Sequence, residues 1–170
     1  FPPIAANFLR KRGVSIASDD FPKTPKDFFD YAKKNQAEMV DVKFVDMLGS
    51  WQHCSFPIEH LDDGTFEEGL GFDGSSIRGW MGIHESDMMA VPDVGTTRID
   101  PFYARPTLSL IANVVDPITR HDFTRDPRHV ARKAEAYLKE TGIADTCFIG
   151  PEPEFFIFDD VRYEQNQHRG

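Results

Sequence analysis

Between Met39 and Asp46 apolar and polar side chains alternate, with Val40, Val42 and Phe44 on one side and Asp41 and Lys43 on the other. Successive side chains leave a strand in opposite directions, so this pattern describes an extended segment with one buried face. Asp46-Met47-Leu48-Gly49 supplies a turn and Trp51 to Phe56 a second extended run, so the two are predicted to pair as a hairpin. A lone hairpin cannot cover its own apolar face. Cover is at hand upstream. Thr24-Pro25 reads as a helix N-cap and first helical position, Asp27 falls in the first turn, and Phe28, Phe29, Tyr31 and Ala32 form an apolar stripe that fades near Asn35.

Further strands are expected at Met88 to Val91 and at Thr107 to Val115. Asp62-Asp63-Gly64 and the stretch from Glu67 to Gly82, with glycine at 69, 71, 74, 79 and 82, read as loop. This order predicts a small α+β domain in which a helix packs on an antiparallel or mixed sheet. Asp126-Pro127 then opens a second helix, in which Val130, Ala134, Tyr137 and Leu138 repeat at helical spacing and Gly142 closes the run.

The chain next reads Gly150-Pro-Glu-Pro-Glu-Phe-Phe-Ile-Phe-Asp-Asp160. Its flanks, Thr146 to Ile149 and Phe155 to Phe158, are short and apolar, which predicts a buried strand. On such a strand Glu152 and Glu154 leave the same face, with Cα atoms roughly 6–7 Å apart. Paired carboxylates at that spacing suit two hard divalent cations and, through them, a nucleoside triphosphate. The alternative is two solvated glutamates at the mouth of a strand. Pro153 lacks an N–H and restricts the segment to a strand start, edge or bulge. Helix and strand together carry too little apolar surface for a core, so they read as the opening of a second domain.

The net charge of −9 over 170 residues argues against a nucleic-acid or membrane-surface partner, and binding an anionic nucleotide would call for metal ions. Cys54 and Cys147 share no ligand or redox spacing, which points to a reduced, cytoplasmic compartment. Residues 1–22 lack periodicity and read as a loosely held extension; Arg10-Lys11-Arg12 leaves a targeting role as the minor alternative.

Three familiar patterns fail on context. Gly69-Leu-Gly-Phe-Asp-Gly74 matches a dinucleotide-binding fingerprint by its letters, but Glu67 and Glu68 precede it where a hydrophobic strand belongs. Gly74-Ser-Ser-Ile-Arg78 lacks the closing glycine of a nucleophile elbow. His84-Glu-Ser-Asp-Met88 lacks the second histidine of a zinc-binding helix. Phe72-Asp-Gly-Ser-Ser-Ile-Arg-Gly-Trp80 has two readings: a small-cation site built from a carboxylate, two hydroxyls and an indole face, or a tight glycine turn with polar capping.

Together, Phe72 to Trp80, His84 to Met88, Arg98-Ile-Asp-Pro-Phe102, Arg125-Asp-Pro-Arg128, Ala134 to Leu138, Thr141 to Asp145 and Gly150 to Phe156 resemble type I glutamine synthetases, in order and from about Thr24 to the C-terminus. The resemblance implies a β-grasp N-terminal domain over 23–122, followed at 123–170 by the first helix and strand of a truncated catalytic domain, with 1–22 outside the match. It implies ligation of ammonia to glutamate through γ-glutamyl phosphate, with ATP as co-substrate and two magnesium or manganese ions. Matched position by position, Glu152 and Glu154 look like metal ligands and Asp73 like the acceptor of the ammonium proton. Ser76, Trp80 and Asp87 look like parts of the ammonium site. In the family this loop completes the site of an adjacent subunit, which implies stacked hexameric rings, and the fragment alone is expected to be inactive. Two rivals stand beside this reading: a sister ligase that uses a larger amine, and a non-catalytic β-grasp assembly module.

Overall fold

The structure, a computed structural model, describes residues 21–164. The expected extension over residues 1–22 lies outside them except for Phe21 and Pro22. Helix α1 spans Pro25–Lys34 and starts as its sequence demands. The Thr24 hydroxyl accepts from the Asp27 amide and the Asp27 carboxylate accepts from the Thr24 amide, a reciprocal pair that satisfies two orphan donors of the first turn. Just ahead of it Pro22 is buried, and the Arg98 guanidinium lies 3.4 Å from the centroid of the Phe21 ring.

Strands β1 (Met39–Val45) and β2 (Trp51–Pro57) form the expected antiparallel hairpin, with Val42 opposite Cys54. After helix α2 (Thr65–Glu68) come β3 (Leu70–Asp73), β4 (Asp87–Asp100) and β5 (Thr107–Val115). The five strands make one mixed sheet in the order β2-β1-β5-β4-β3, parallel only between β1 and β5. Helix α1 lays Phe28 and Ala32 onto Val40, Val42, Leu108, Leu110 and Ala112. The fully buried Phe28 ring alone contributes about 2–3 kcal/mol of transfer free energy. Its edge contacts with Phe29 and Phe66, at 5.3 and 5.0 Å, fix its orientation. Phe44, Ile77, Trp80, Met88 and Val114 form a second apolar cluster.

The opposite face of β1 is not wet. Asp41 is fully buried and accepts from Ser55 Oγ at 2.6 Å and from Tyr103 Oη at 3.3 Å, with His53 Nδ1 at 2.7 Å. Burial by itself would raise its pKa, but the bonds from Ser55 and His53 outweigh that, and the carboxyl is held below its ordinary value. Lys43 joins the group through Asp100 at 3.0 Å.

Within the sheet, two strand expectations need correction. The stretch 67–82 is not all loop, because it holds the end of α2 and all of β3. Its glycines include Gly69, which has φ +86 and where a Cβ would lie 2.9 Å from the Ala90 carbonyl oxygen, so that glycine marks a close backbone approach. Strand β4 runs far beyond Val91, to Asp100. A register shift between Asp93 and Arg98 takes up Gly95, and the Thr96 hydroxyl accepts from the Ile111 amide at 2.8 Å where the ladder is interrupted.

Helix α3 (Pro127–Glu140) begins at the predicted cap, with the buried Asp126 accepting from the amides of Arg128 and, across to β5, Val114. None of its own residues is buried. The strand expected around Glu152 and Glu154 is absent from the described residues: 146–158 carries no ladder and Phe156 is 86% exposed. A strand exists only beside another, and neither edge of the sheet, β2 or β3, pairs with this segment.

Candidate functional site

Asp73 is the last residue of β3 and the cap of a single 3₁₀ turn, Gly74–Ser76. Its Oδ1 accepts from the Ser75 amide at 2.8 Å and the Ser75 hydroxyl at 2.6 Å, and its Oδ2 from the Ser76 hydroxyl at 3.2 Å. These bonds favour the ionised carboxylate. The Ser75 hydroxyl foremost, and then the Ser75 amide, hold Asp73 below the usual aspartate pKa. The side chain remains exposed.

Across the ladder Asp73 faces Asp87, the first residue of β4. The Gly74 amide donates to the Ser86 carbonyl at 2.6 Å, which flanks the pair rather than joining it. Asp73 and Asp87 therefore occupy a non-hydrogen-bonded position, where side chains come closest, with Cα atoms about 4.5 Å apart. Two exposed carboxylates on one sheet face repel each other and together attract a cation. Gly74 makes the approach feasible: a Cβ there would lie 2.5 Å from Met88 Cγ and 3.0 Å from the Ser86 oxygen.

Of the two readings of this loop, only the small-cation one gives Trp80 an exposed indole face. The ring is 1% exposed, with centroids 5.0 Å from Phe123, 5.3 Å from Phe44 and 6.2 Å from Phe72. The apolar area of three aromatic neighbours outweighs exposure on a loop, although Nε1 is left buried without a hydrogen-bond partner. Trp80 thus anchors the loop from beneath. Asp73, Ser76 and Asp87 share its surface.

Sequence reasoning missed Arg125, whose Nη1 donates to the carbonyls of Gly79 and Trp80 at 2.8 and 2.6 Å. A lone arginine bonded to main-chain oxygens leaves no spacing signature. Glu152 and Glu154 are both exposed on the segment without a ladder, so strand periodicity does not set their directions. Among the described residues no three His, Cys, Asp or Glu side chains gather as a metal centre. No described helix is long and apolar enough to cross a membrane.

Two domain families match this chain in order: "Glutamine synthetase, beta-Grasp domain" over residues 36–117 and "Glutamine synthetase, catalytic domain" over residues 124–170. A glutamine synthetase of Azorhizobium caulinodans is 50% identical over 86% of this chain and 31% of its own length. A 3-hydroxylaminophenol mutase of Cupriavidus pinatubonensis is 53% identical over 81% of this chain and 29% of its own. Among solved structures, a Plasmodium falciparum glutamine synthetase shares the fold with a TM-score of 0.62 at 24% identity, over 69% of this chain and 23% of that one. The chain thus spans about three tenths of the length of the curated relatives it matches.

Proposed function

Since this chain belongs to the glutamine synthetase family, we propose that it is the N-terminal part of a ligase that joins ammonia to glutamate at the expense of ATP, through γ-glutamyl phosphate. A boundary near 122/123 divides a β-grasp unit from the start of a catalytic unit; family matches that end at 117 and resume at 124 support it. The observation that carries the reading is the exposed Asp73 carboxylate, ordered by two serines and set opposite Asp87.

Ammonium has no lone pair and must lose a proton before it can attack an acyl phosphate. Asp73 and Asp87 concentrate the cation, and Asp73 takes the proton. Its lowered pKa makes that transfer uphill from free ammonium. The step is therefore drawn forward by the attack: the ammonia nitrogen bonds to the γ-carbonyl carbon, the bond from that carbon to the phosphate oxygen breaks, and phosphate leaves with the nitrogen's surplus proton. The pair lies on the outer surface of its unit, which supports delivery to a neighbouring subunit in a ring assembly.

Glu152 and Glu154 offer the hard oxygen donors that magnesium or manganese takes, and in this reading each contributes to the metal sites. Two carboxylates do not complete an octahedral shell, and waters, the ATP phosphates and further side chains would supply the remaining donors. Bound there, the ions would supply charge neutralisation for the ATP phosphates. The exposed Phe148, Ile149, Phe155, Phe156, Ile157 and Phe158 support the same view, because so long an apolar run calls for strands to pack and pair with.

The test is ATP-dependent glutamine formation by the full-length protein, with ammonium as sole amine; no glutamine would sink the reading. The 53% identical mutase supports a second one, in which the full-length protein rearranges an arylhydroxylamine. Turnover of 3-hydroxylaminophenol without ATP would select it.

A further inference from the structure

The loop from Asp73 to Asp87 is held at its base and at its middle, and its middle is held by a residue of the connection to α3. At the near end the Gly74 amide bonds to Ser86, and the bonds from Ile77 N to Gly74 O (3.2 Å) and from Trp80 N to Ile77 O (3.1 Å) carry the fold of the loop forward. In the middle of the loop Gly79 has φ +81, a left-handed turn that breaks the alternation of an extended chain. The carbonyls of Gly79 and Trp80 thereby converge on one nitrogen of Arg125.

Arg125 is itself fixed from both sides. Two residues earlier, Phe123 packs its ring on Trp80 at 5.0 Å and donates its amide to the Val114 carbonyl at 2.8 Å. One residue later, the buried Asp126 accepts from the Val114 amide and caps α3. The guanidinium thus bridges the loop to the root of the helix that leads to Glu152 and Glu154. Charge-assisted bonds to two carbonyls are stronger than neutral ones and would be lost together.

We infer that Arg125 is a positioning residue for Asp73: by clamping Gly79 and Trp80 it ties the carboxylate's loop to the start of α3, so that the ammonium-binding surface moves with the connection between the two units. This rests on the ligase reading above for its functional half, while the clamp stands independently of it.

Two measurements separate the halves. In the present chain, Arg125→Ala is expected to speed amide hydrogen exchange at Ile77 and Trp80 about tenfold while Val42 and Leu110 keep their protection. Unchanged exchange at Ile77 and Trp80 overturns the clamp. Should the alanine variant also lose protection at Val42, Arg125→Lys carries the same comparison, since its ammonium keeps the charge but lacks the guanidinium's planar fork. In the full-length protein, Arg125→Ala is expected to raise the KM for ammonium about tenfold with the rate of γ-glutamyl phosphate formation unchanged, and Arg125→Lys to recover part of it. An unchanged ammonium KM, or an equal loss in both half-reactions, overturns the positioning role. A wild-type protein that makes no glutamine overturns the ligase reading, and that role with it, whatever the exchange data show.

Discussion

Asp73 and Asp87 stand directly opposite each other in a non-hydrogen-bonded position of the β3–β4 ladder, two like charges where side chains come closest. Like charges in register disfavour the pairing they sit on, so the arrangement costs the sheet something that a cation would relieve. Asp87→Asn is expected to raise the denaturation midpoint slightly at low ionic strength. The gain should shrink as salt screens the pair. Urea titrations at two salt concentrations check this, and a lower midpoint at low salt would show that the carboxylates do not repel.

Asp73→Asn in the full-length protein keeps shape and polarity but removes the charge and the proton acceptor. Phosphorylation of glutamate should persist while capture of ammonia slows severely, by about 100-fold or more. Rapid-quench measurement of the two half-reactions separates them. Equal loss in both would rule out the assigned role.

Acid should loosen the Asp73 turn in a defined window. Hydrogen bonds from Ser75 lower the folded-state pKa of Asp73 below the ordinary aspartate value of 3.8. The associated stability is therefore complete above that value and disappears as pH falls through the lower folded pKa. Ser75→Ala removes the leading cause and should move the carboxyl back up toward 3.8. An NMR titration of the Asp73 carboxyl carbon reads the shift directly; a value unmoved by the substitution would assign the effect elsewhere.

Gly74→Ala places a methyl group 2.5 Å from Met88 Cγ and 3.0 Å from a main-chain oxygen. Met88 is buried in the second core cluster and has little room to yield. A loss of about 1–3 kcal/mol is expected from chemical denaturation, typical of overpacking. A neutral result would mean that β3 and β4 separate there at little cost.

Removal of residues 143–170 should leave the unfolding temperature of the sheet unchanged, because the described residues from Ile143 to Glu164 are exposed. It should also lower binding of a hydrophobic dye, since Phe148, Ile149 and Phe155 to Phe158 would go with them. The 170-residue chain itself is expected to form no glutamine or γ-glutamyl hydroxamate. Detectable product would show that the present chain holds a complete site.

Much of the fold was legible because local chemistry and tertiary demand agree. The cap at Thr24, the alternation through Val40, Val42 and Phe44, and the Asp126-Pro127 start each satisfy a rule that acts within a few residues. Strand β3 was hidden because glycine, read as loop punctuation, there serves the close approach of Gly69 to β4. The reach of β4 to Asp100 was hidden because its bulge interrupts the periodicity. The Glu152 segment shows the converse, a strong strand pattern with no strand.

The order of residues alone established the covalent spacing of Asp73, Ser75 and Ser76 but left open whether they cage a cation or cap a tight turn; the structure supplies the capping bonds, which span three positions at most. Residue order also established which segments prefer to be helical or extended. Placement of Asp87 against Asp73, of Trp80 beneath the loop rather than beside a cation, and of Arg125 on the carbonyls of Gly79 and Trp80 came from packing. Each joins segments separated by a loop or by a run of strands, and their meeting depends on sheet register and on apolar burial summed over the whole core.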